Sequence, residues 1–118
     1  MYNIKVVTSF SAAHNLREYK GKCEELHGHN WRIETVIQTE GLDKAGMVMD
    51  FTFVKVEVKK ILEALDHKYL NQIEYFKTIN PTSENIAKYI FDNLKPSVGA
   101  LKSISVWESD NSCATYEG

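Results

Sequence analysis

Cys23-Glu24-Glu25-Leu26-His27-Gly28-His29-Asn30-Trp31 is the segment around which the rest of the chain arranges itself. His27 and His29 stand two positions apart, and side chains of an extended chain alternate with period two, so both imidazoles face one side. Gly28 between them has no side chain, which lets the backbone take unusual angles or lie close to another group. Trp31, Ile33 and Ile37 keep the same parity, while Arg32, Glu34 and Gln38 fall mostly on the other. The pattern predicts a strand whose core-facing side opens with the two histidines.

Toward the N-terminus, Ile4, Val6, Phe10, Ala12 and His14 share one parity, interrupted by Thr8, and predict a strand from Tyr2 to His14. If it pairs with the segment that begins at His29, three imidazoles converge at one end of a sheet. Three neutral imidazoles with an open fourth position describe a catalytic zinc site. Asn15 to Glu25 loses the alternation and carries Arg17, Lys20, Gly21 and Lys22, which marks a loop.

Toward the C-terminus, Gly41-Leu42-Asp43-Lys44-Ala45-Gly46 reads as a turn-rich connector. Val54, Val58, Ile61, Leu62, Leu65 and Tyr69 form one apolar stripe at helical spacing, with Asp50 or Thr52 placed to cap its start. Pro81-Thr82-Ser83-Glu84 announces a second helix whose apolar positions are Ile86, Tyr89, Ile90 and Leu94, with Pro96 ending it. Leu101 to Glu108 alternates again, Ser109-Asp110-Asn111-Ser112 is a hairpin turn, and Cys113 to Tyr116 returns as a short strand. The order ββααββ implies an α+β domain over residues 1–118, a four-stranded antiparallel sheet with two antiparallel helices on one face. Such a sheet has two open edges, which neighbouring subunits are expected to cover.

Composition narrows the function classes. A chain of 118 residues, 43% hydrophobic and 25% charged, has the make-up of one globular domain with a single core. A net charge of -2 gives no support for binding nucleic acid or an anionic membrane. With neither a bilayer-length apolar run nor an export pattern at the start, a cytoplasmic protein with reduced Cys23 and Cys113 is expected.

Each candidate site residue also has a plain reading. Singly, His14, His27 and His29 are ordinary core or surface histidines; jointly, their shared face and Gly28 favour a metal, and zinc suits imidazoles better than magnesium or calcium does. Cys23 either closes a structural site as a fourth ligand or stands free as a base or nucleophile, activated by the metal and by Lys20 and Lys22. Asp66 and His67 are adjacent, and helix neighbours do not face one another, so either the helix ends there, or one of them meets groups from elsewhere, or they are a helix-terminal His and a solvated Asp. Glu108 has core parity at a strand end, where a carboxylate is either exposed or anchors a ligand through charge-assisted hydrogen bonds.

Phe10-Ser11-Ala12-Ala13-His14, followed by Cys23-x-x-x-His27-Gly28-His29-Asn30, resembles the signature of the 6-pyruvoyl tetrahydropterin synthase superfamily. Leu65-Asp66-His67-Lys68-Tyr69-Leu70-Asn71, Asn80-Pro81-Thr82-Ser83-Glu84-Asn85 and Trp107-Glu108-Ser109-Asp110 are similar to its later motifs, in order, over essentially the whole chain. The three residues between Cys23 and His27 resemble the branch that forms 6-carboxytetrahydropterin in queuosine and 7-deazapurine biosynthesis; the pyruvoyl-forming branch usually has a longer gap there.

The resemblance implies a tunnelling fold and a role for each residue. His14, His27 and His29 match the zinc ligands, Cys23 the catalytic thiol, and Asp66 with His67 its acid–base partners. Glu108 matches the carboxylate that anchors the pterin edge, and Thr82 and Ser83 match positions lining the pterin pocket. It further implies a trimer or hexamer with sites at subunit interfaces and a pterin triphosphate substrate, 7,8-dihydroneopterin triphosphate. The implied products are 6-carboxy-5,6,7,8-tetrahydropterin, acetaldehyde and triphosphate. Outside the family motifs, Arg17, Lys20 or Lys22 is expected to receive the triphosphate. A pyruvoyl-forming enzyme and a non-enzymatic module with structural zinc are the competing readings.

Overall fold

A computed structural model describes residues 1–18 and 24–118, so the expectations placed on Lys20, Lys22 and Cys23 lie outside the described residues. Strand β1 (Tyr2–His14) pairs antiparallel with β2 (His27–Thr39) along its full length, from Tyr2 opposite Thr39 to His14 opposite His27. Helix α1 (Phe51–Leu62) and helix α2 (Ser83–Leu94) follow, then β3 (Leu101–Ser109) and β4 (Ser112–Tyr116), giving the sheet order β1-β2-β3-β4 with every pair antiparallel. The architecture is the α+β, ββααββ arrangement that the alternation and helical spacing predict.

The period-two reading holds on the core face. Val6, Phe10, Ala12 and His14 of β1 and Trp31, Ile33, Thr35 and Ile37 of β2 are buried. They meet Val54, Val58 and Leu62 of α1 and Ile86, Ala87, Ile90, Phe91 and Leu94 of α2. Ala87 and Phe91 join the predicted stripe of α2, while Tyr89 turns half out toward Tyr75 and Phe76.

Three departures from simple periodicity have local causes. The register of β3 slips between Val36 and Ile37, which sets Leu101 opposite Ile37 and buries it with Ile104 and Val106 despite opposite parity. A second slip between Trp107 and Ser109 leaves Glu108 without a partner on β4. Helix α1 stops at Leu62, earlier than its apolar stripe, through tighter turns in which Ala64 N–H donates to Ile61 O and Leu65 N–H to Leu62 O. Leu65 remains fully buried, but Tyr69 has left the helix and bridges Ala13 of β1.

Caps fix both helix starts. Asp50 accepts from Thr52 N–H at 2.8 Å, and Thr82 Oγ1 accepts from Asn85 N–H at 3.1 Å, satisfying donors that the first helical turn leaves free. No helix among the described residues is long and apolar enough to cross a membrane.

Candidate metal centre

The full-length pairing of β1 with β2 sets His14 directly opposite His27, and the alternation adds His29 on the same face. Trp31 forms their floor, fully buried, with its ring edge-on to His14 at 4.8 Å and to His29 at 5.2 Å between centroids. Trp31 Nε1–H donates to Ala12 O at 3.2 Å, which locks the indole against β1. Glu108, on the parity of the buried Ile104 and Val106, then brings a carboxylate from β3 to the open side. Its Oε1 lies 2.8 Å from His29 Nε2, 3.4 Å from His14 Nε2 and 3.9 Å from His27 Nε2.

Backbone carbonyls settle which ring nitrogens face inward. A carbonyl only accepts, so His14 Nδ1–H donates to Pro81 O at 2.8 Å and His27 Nδ1–H donates to Glu25 O at 2.9 Å. In the neutral rings both Nε2 atoms are then lone pairs, and they face each other at 3.1 Å. Two lone pairs at that range repel unless a proton or a cation lies between them. Burial, together with the neighbouring His14 and His27, lowers the His29 pKa against the opposing pull of Glu108, so His29 favours its neutral, ligand-competent form.

The donor set fits a metal ion. His29 Nε2 is buried without a hydrogen-bond partner, because its close approach to Glu108 lacks hydrogen-bond alignment. Ligand atoms of His14, His27, His29 and Glu108 lie within 4.8 Å of one another. Donors at roughly 2.0–2.1 Å from a tetrahedral zinc are separated by roughly 3.3 Å. The separations of 3.1, 3.4, 3.9 and 2.8 Å among these four atoms bracket that value. Carbonyl partners on the outer nitrogens are the usual means of orienting metal-binding imidazoles.

Asp66 and His67 stand elsewhere, on the outer edge of β1. His67 adopts a left-handed backbone (φ 58°), and its Nδ1 lies 3.1 Å from Asp66 Oδ1. The early end of α1 lets these chain neighbours face one another, which a continuing helix forbids. Asp66 Oδ1 accepts from Ser11 N–H at 2.9 Å, and His67 N–H donates to Ser11 O at 2.6 Å. The Ser11 amide, seconded by His67, holds the Asp66 carboxyl below its ordinary pKa. The metal-ligand cluster among the described residues includes neither residue.

Thr82 has a structural duty as the α2 cap, whereas Ser83 borders a cleft of about 220 Å³ with Glu84, Glu108, Ser112 and Cys113. Cys113 is an exposed free thiol there. Arg17, one of the residues expected to receive triphosphate, makes bonds within the chain. Its Nη2 donates to Ile79 O at 3.1 Å and also to Phe76 O, so the guanidinium fastens the post-β1 loop to the segment before α2. The roles of Trp31 and of the Pro81 and Glu25 carbonyls escape a sequence reading. A carbonyl has no residue-type signature, and Trp31 reads as ordinary core.

A family model described as 6-pyruvoyl tetrahydropterin synthase matches residues 3–118. A 6-carboxy-5,6,7,8-tetrahydropterin synthase of Synechocystis sp. is 40% identical over 114 residues, spanning 92% of this chain and 87% of that protein. The 6-pyruvoyl tetrahydrobiopterin synthase of Homo sapiens is 36% identical over 127 residues, spanning 93% of this chain and 87% of that one. Among solved structures, the Caenorhabditis elegans 6-pyruvoyl tetrahydropterin synthase superposes with a TM-score of 0.87 at 32% identity, covering 99% of this chain and 95% of that chain.

Proposed function

The chain belongs to the 6-pyruvoyl tetrahydropterin synthase family, and we propose that within it the protein is a zinc-dependent lyase forming 6-carboxy-5,6,7,8-tetrahydropterin. The substrate is 7,8-dihydroneopterin triphosphate; one water is consumed, and acetaldehyde and triphosphate are released. The observation that carries the metal dependence is the convergence of His14, His27 and His29 with their outer nitrogens held or buried. Support for the carboxy-forming branch comes from the three-residue gap between Cys23 and His27 and from the likeness to the Synechocystis enzyme.

In this reading His14, His27 and His29 hold the ion, which when bound polarises the side-chain oxygens of the pterin and eases removal of the adjacent carbon-bound proton. Cys23, as thiolate, takes that proton. His67, oriented by Asp66, returns protons to the substrate carbon or oxygen. Glu108 accepts two parallel N–H bonds from the pterin's guanidine-like edge, which requires its carboxylate to turn from the imidazoles toward the cleft it shares with Ser83. Thr82 contributes to that pocket mainly by fixing the start of α2. Asp66 and His67 face away along the outer edge of β1, so they serve a site completed by another subunit of a trimer or hexamer. We place the enzyme in the cytoplasm, acting in the queuosine or 7-deazapurine route.

Incubating the zinc-loaded protein with 7,8-dihydroneopterin triphosphate tests the assignment. Acetaldehyde stoichiometric with triphosphate is expected. Triphosphate without acetaldehyde identifies the pyruvoyl-forming reaction, the activity that the human relative's name carries. Absence of both products would refute the enzyme reading.

A further inference from the structure

The outer edge of β1 remains paired after the strand itself ends. Ser11 exchanges bonds with Asp66 and His67, and Ala13 N–H donates to Lys68 O at 3.0 Å. Two residues on, past His14, no strand among the described residues lies alongside on that edge. There the side-chain amide of Asn71 takes the strand's place: Asn15 N–H donates to Asn71 Oδ1 at 3.0 Å, and Asn71 Nδ2–H donates to Asn15 O at 2.8 Å. Asn80 repeats the device two residues later. Arg17 N–H donates to Asn80 Oδ1 at 2.9 Å, and Asn80 Nδ2–H donates to Arg17 O at 3.0 Å.

A primary amide is planar and offers both acceptor and donor, so it can engage the N–H and C=O of one residue as a neighbouring strand does. Asparagine supplies that shape; aspartate keeps the acceptor and loses the donor. Both residues are themselves held in place. Asn71 is buried, and Asn80 O accepts from Thr82 N–H at 2.8 Å and from Asn85 Nδ2–H at 2.9 Å. Tyr69 O–H adds a bond of 2.6 Å to Asn15 Oδ1.

We infer that Asn71 and Asn80 are positioning residues for the metal centre: their amides continue the β1 ladder through Asn15 and Arg17 and so hold His14 against Pro81 O. One clamp thereby joins three parts of the site, because the 66–71 segment carries Asp66 and His67 while the 80–82 segment supplies the carbonyl on His14 Nδ1. Neither asparagine touches the cluster directly. They act through the backbone on which His14 sits.

The inference rests on the metal-binding reading, and hydrogen exchange separates its failure from that reading's failure. In the intact protein the Asn15 and Arg17 amides should exchange at least about tenfold more slowly than an unbonded loop amide. Unprotected amides overturn the clamp whatever the metal result. Asn71→Asp and Asn80→Asp should each lose that protection and release Zn2+ to a competing chelator about tenfold faster, with an altered visible spectrum of the Co2+ form. They should lower kcat more than KM. Asn93→Ala, which removes an exposed bond to Tyr89 O, should change none of these. Wild-type zinc release and an unaltered cobalt spectrum in both aspartate variants contradict the inference. If neither variant folds, the exchange measurement on the intact protein decides alone.

Discussion

At the scale of single residues, the site depends on which nitrogen of each ring is free. His14 is 2% exposed, yet its Nε2 points at other donors and not into apolar packing. Replacing His14 with Ala removes a ligand and the Pro81 contact together, and zinc retention measured by elemental analysis should be lost. Glu108→Gln separates two duties. The three imidazoles should keep zinc with affinity lowered no more than about tenfold, while KM for the pterin rises by a larger factor. Equal KM values in variant and wild type would remove Glu108 from substrate binding.

Asp66 carries a pH signature at the same scale. Its folded pKa lies below the unfolded value, chiefly because Ser11 N–H donates to the carboxylate. The carboxylate therefore contributes stability above the unfolded value, and that contribution is lost as pH falls through the depressed folded value. Denaturation midpoints of wild type and Asp66→Asn should differ at neutral pH and converge on acidification below about pH 4. A gap that widens in acid would reverse the sign and discard the assignment.

At the scale of elements, Thr82 shows how capping and pocket formation overlap. Its hydroxyl caps α2, and the same turn places Pro81 O on His14. Thr82→Ala should lower stability by about 1 kcal/mol in chemical denaturation, and Thr82→Ser should restore it. A variant as stable as wild type would show the cap to be dispensable.

Strand parity was legible where a strand buries one face, as β1 and β2 do: His14, His27 and His29 lie where period two puts them, and helix spacing located Val54, Val58, Ile86 and Ile90 correctly. Burial of both Leu101 and Ile104 was not legible, since it depends on a bulge that no residue type marks. The pairing of Asp66 with Ser11 spans 55 positions and uses a backbone amide, which sequence patterning does not encode. Glu108 keeps the parity of Ile104 and Val106, so its face was legible, whereas its close approach to His29 depends on how β3 pairs with β2 and was not. The resemblance supplied roles for Asp66, His67 and Glu108 that spacing alone left open.

At the scale of the whole molecule, the core and the metal centre are separable. Trp31, Ile33, Leu65, Ile90 and Ile104 are fully buried and pack with their neighbours independently of any ion. Removing zinc with a chelator should leave a cooperative unfolding transition, displaced only by the lost binding energy. A structural-zinc module would instead unfold on chelation. Along the sheet, the 66–80 segment covers the outer edge of β1 only at its C-terminal end, and β4 has no further strand beside it among the described residues. Such edges suit joining between subunits, so sedimentation should give a mass that is a multiple of the 13.5 kDa chain. A monomer would leave Asp66 and His67 with no second subunit's site to serve.

X-ray absorption at the zinc edge of the loaded, substrate-free protein tests the central proposition most directly. We predict a first shell of nitrogen and oxygen donors at roughly 2.0–2.1 Å with the outer scattering of three imidazoles, and no sulfur, leaving Cys23 free for chemistry. A sulfur scatterer at roughly 2.3 Å would make Cys23 a ligand and contradict the account.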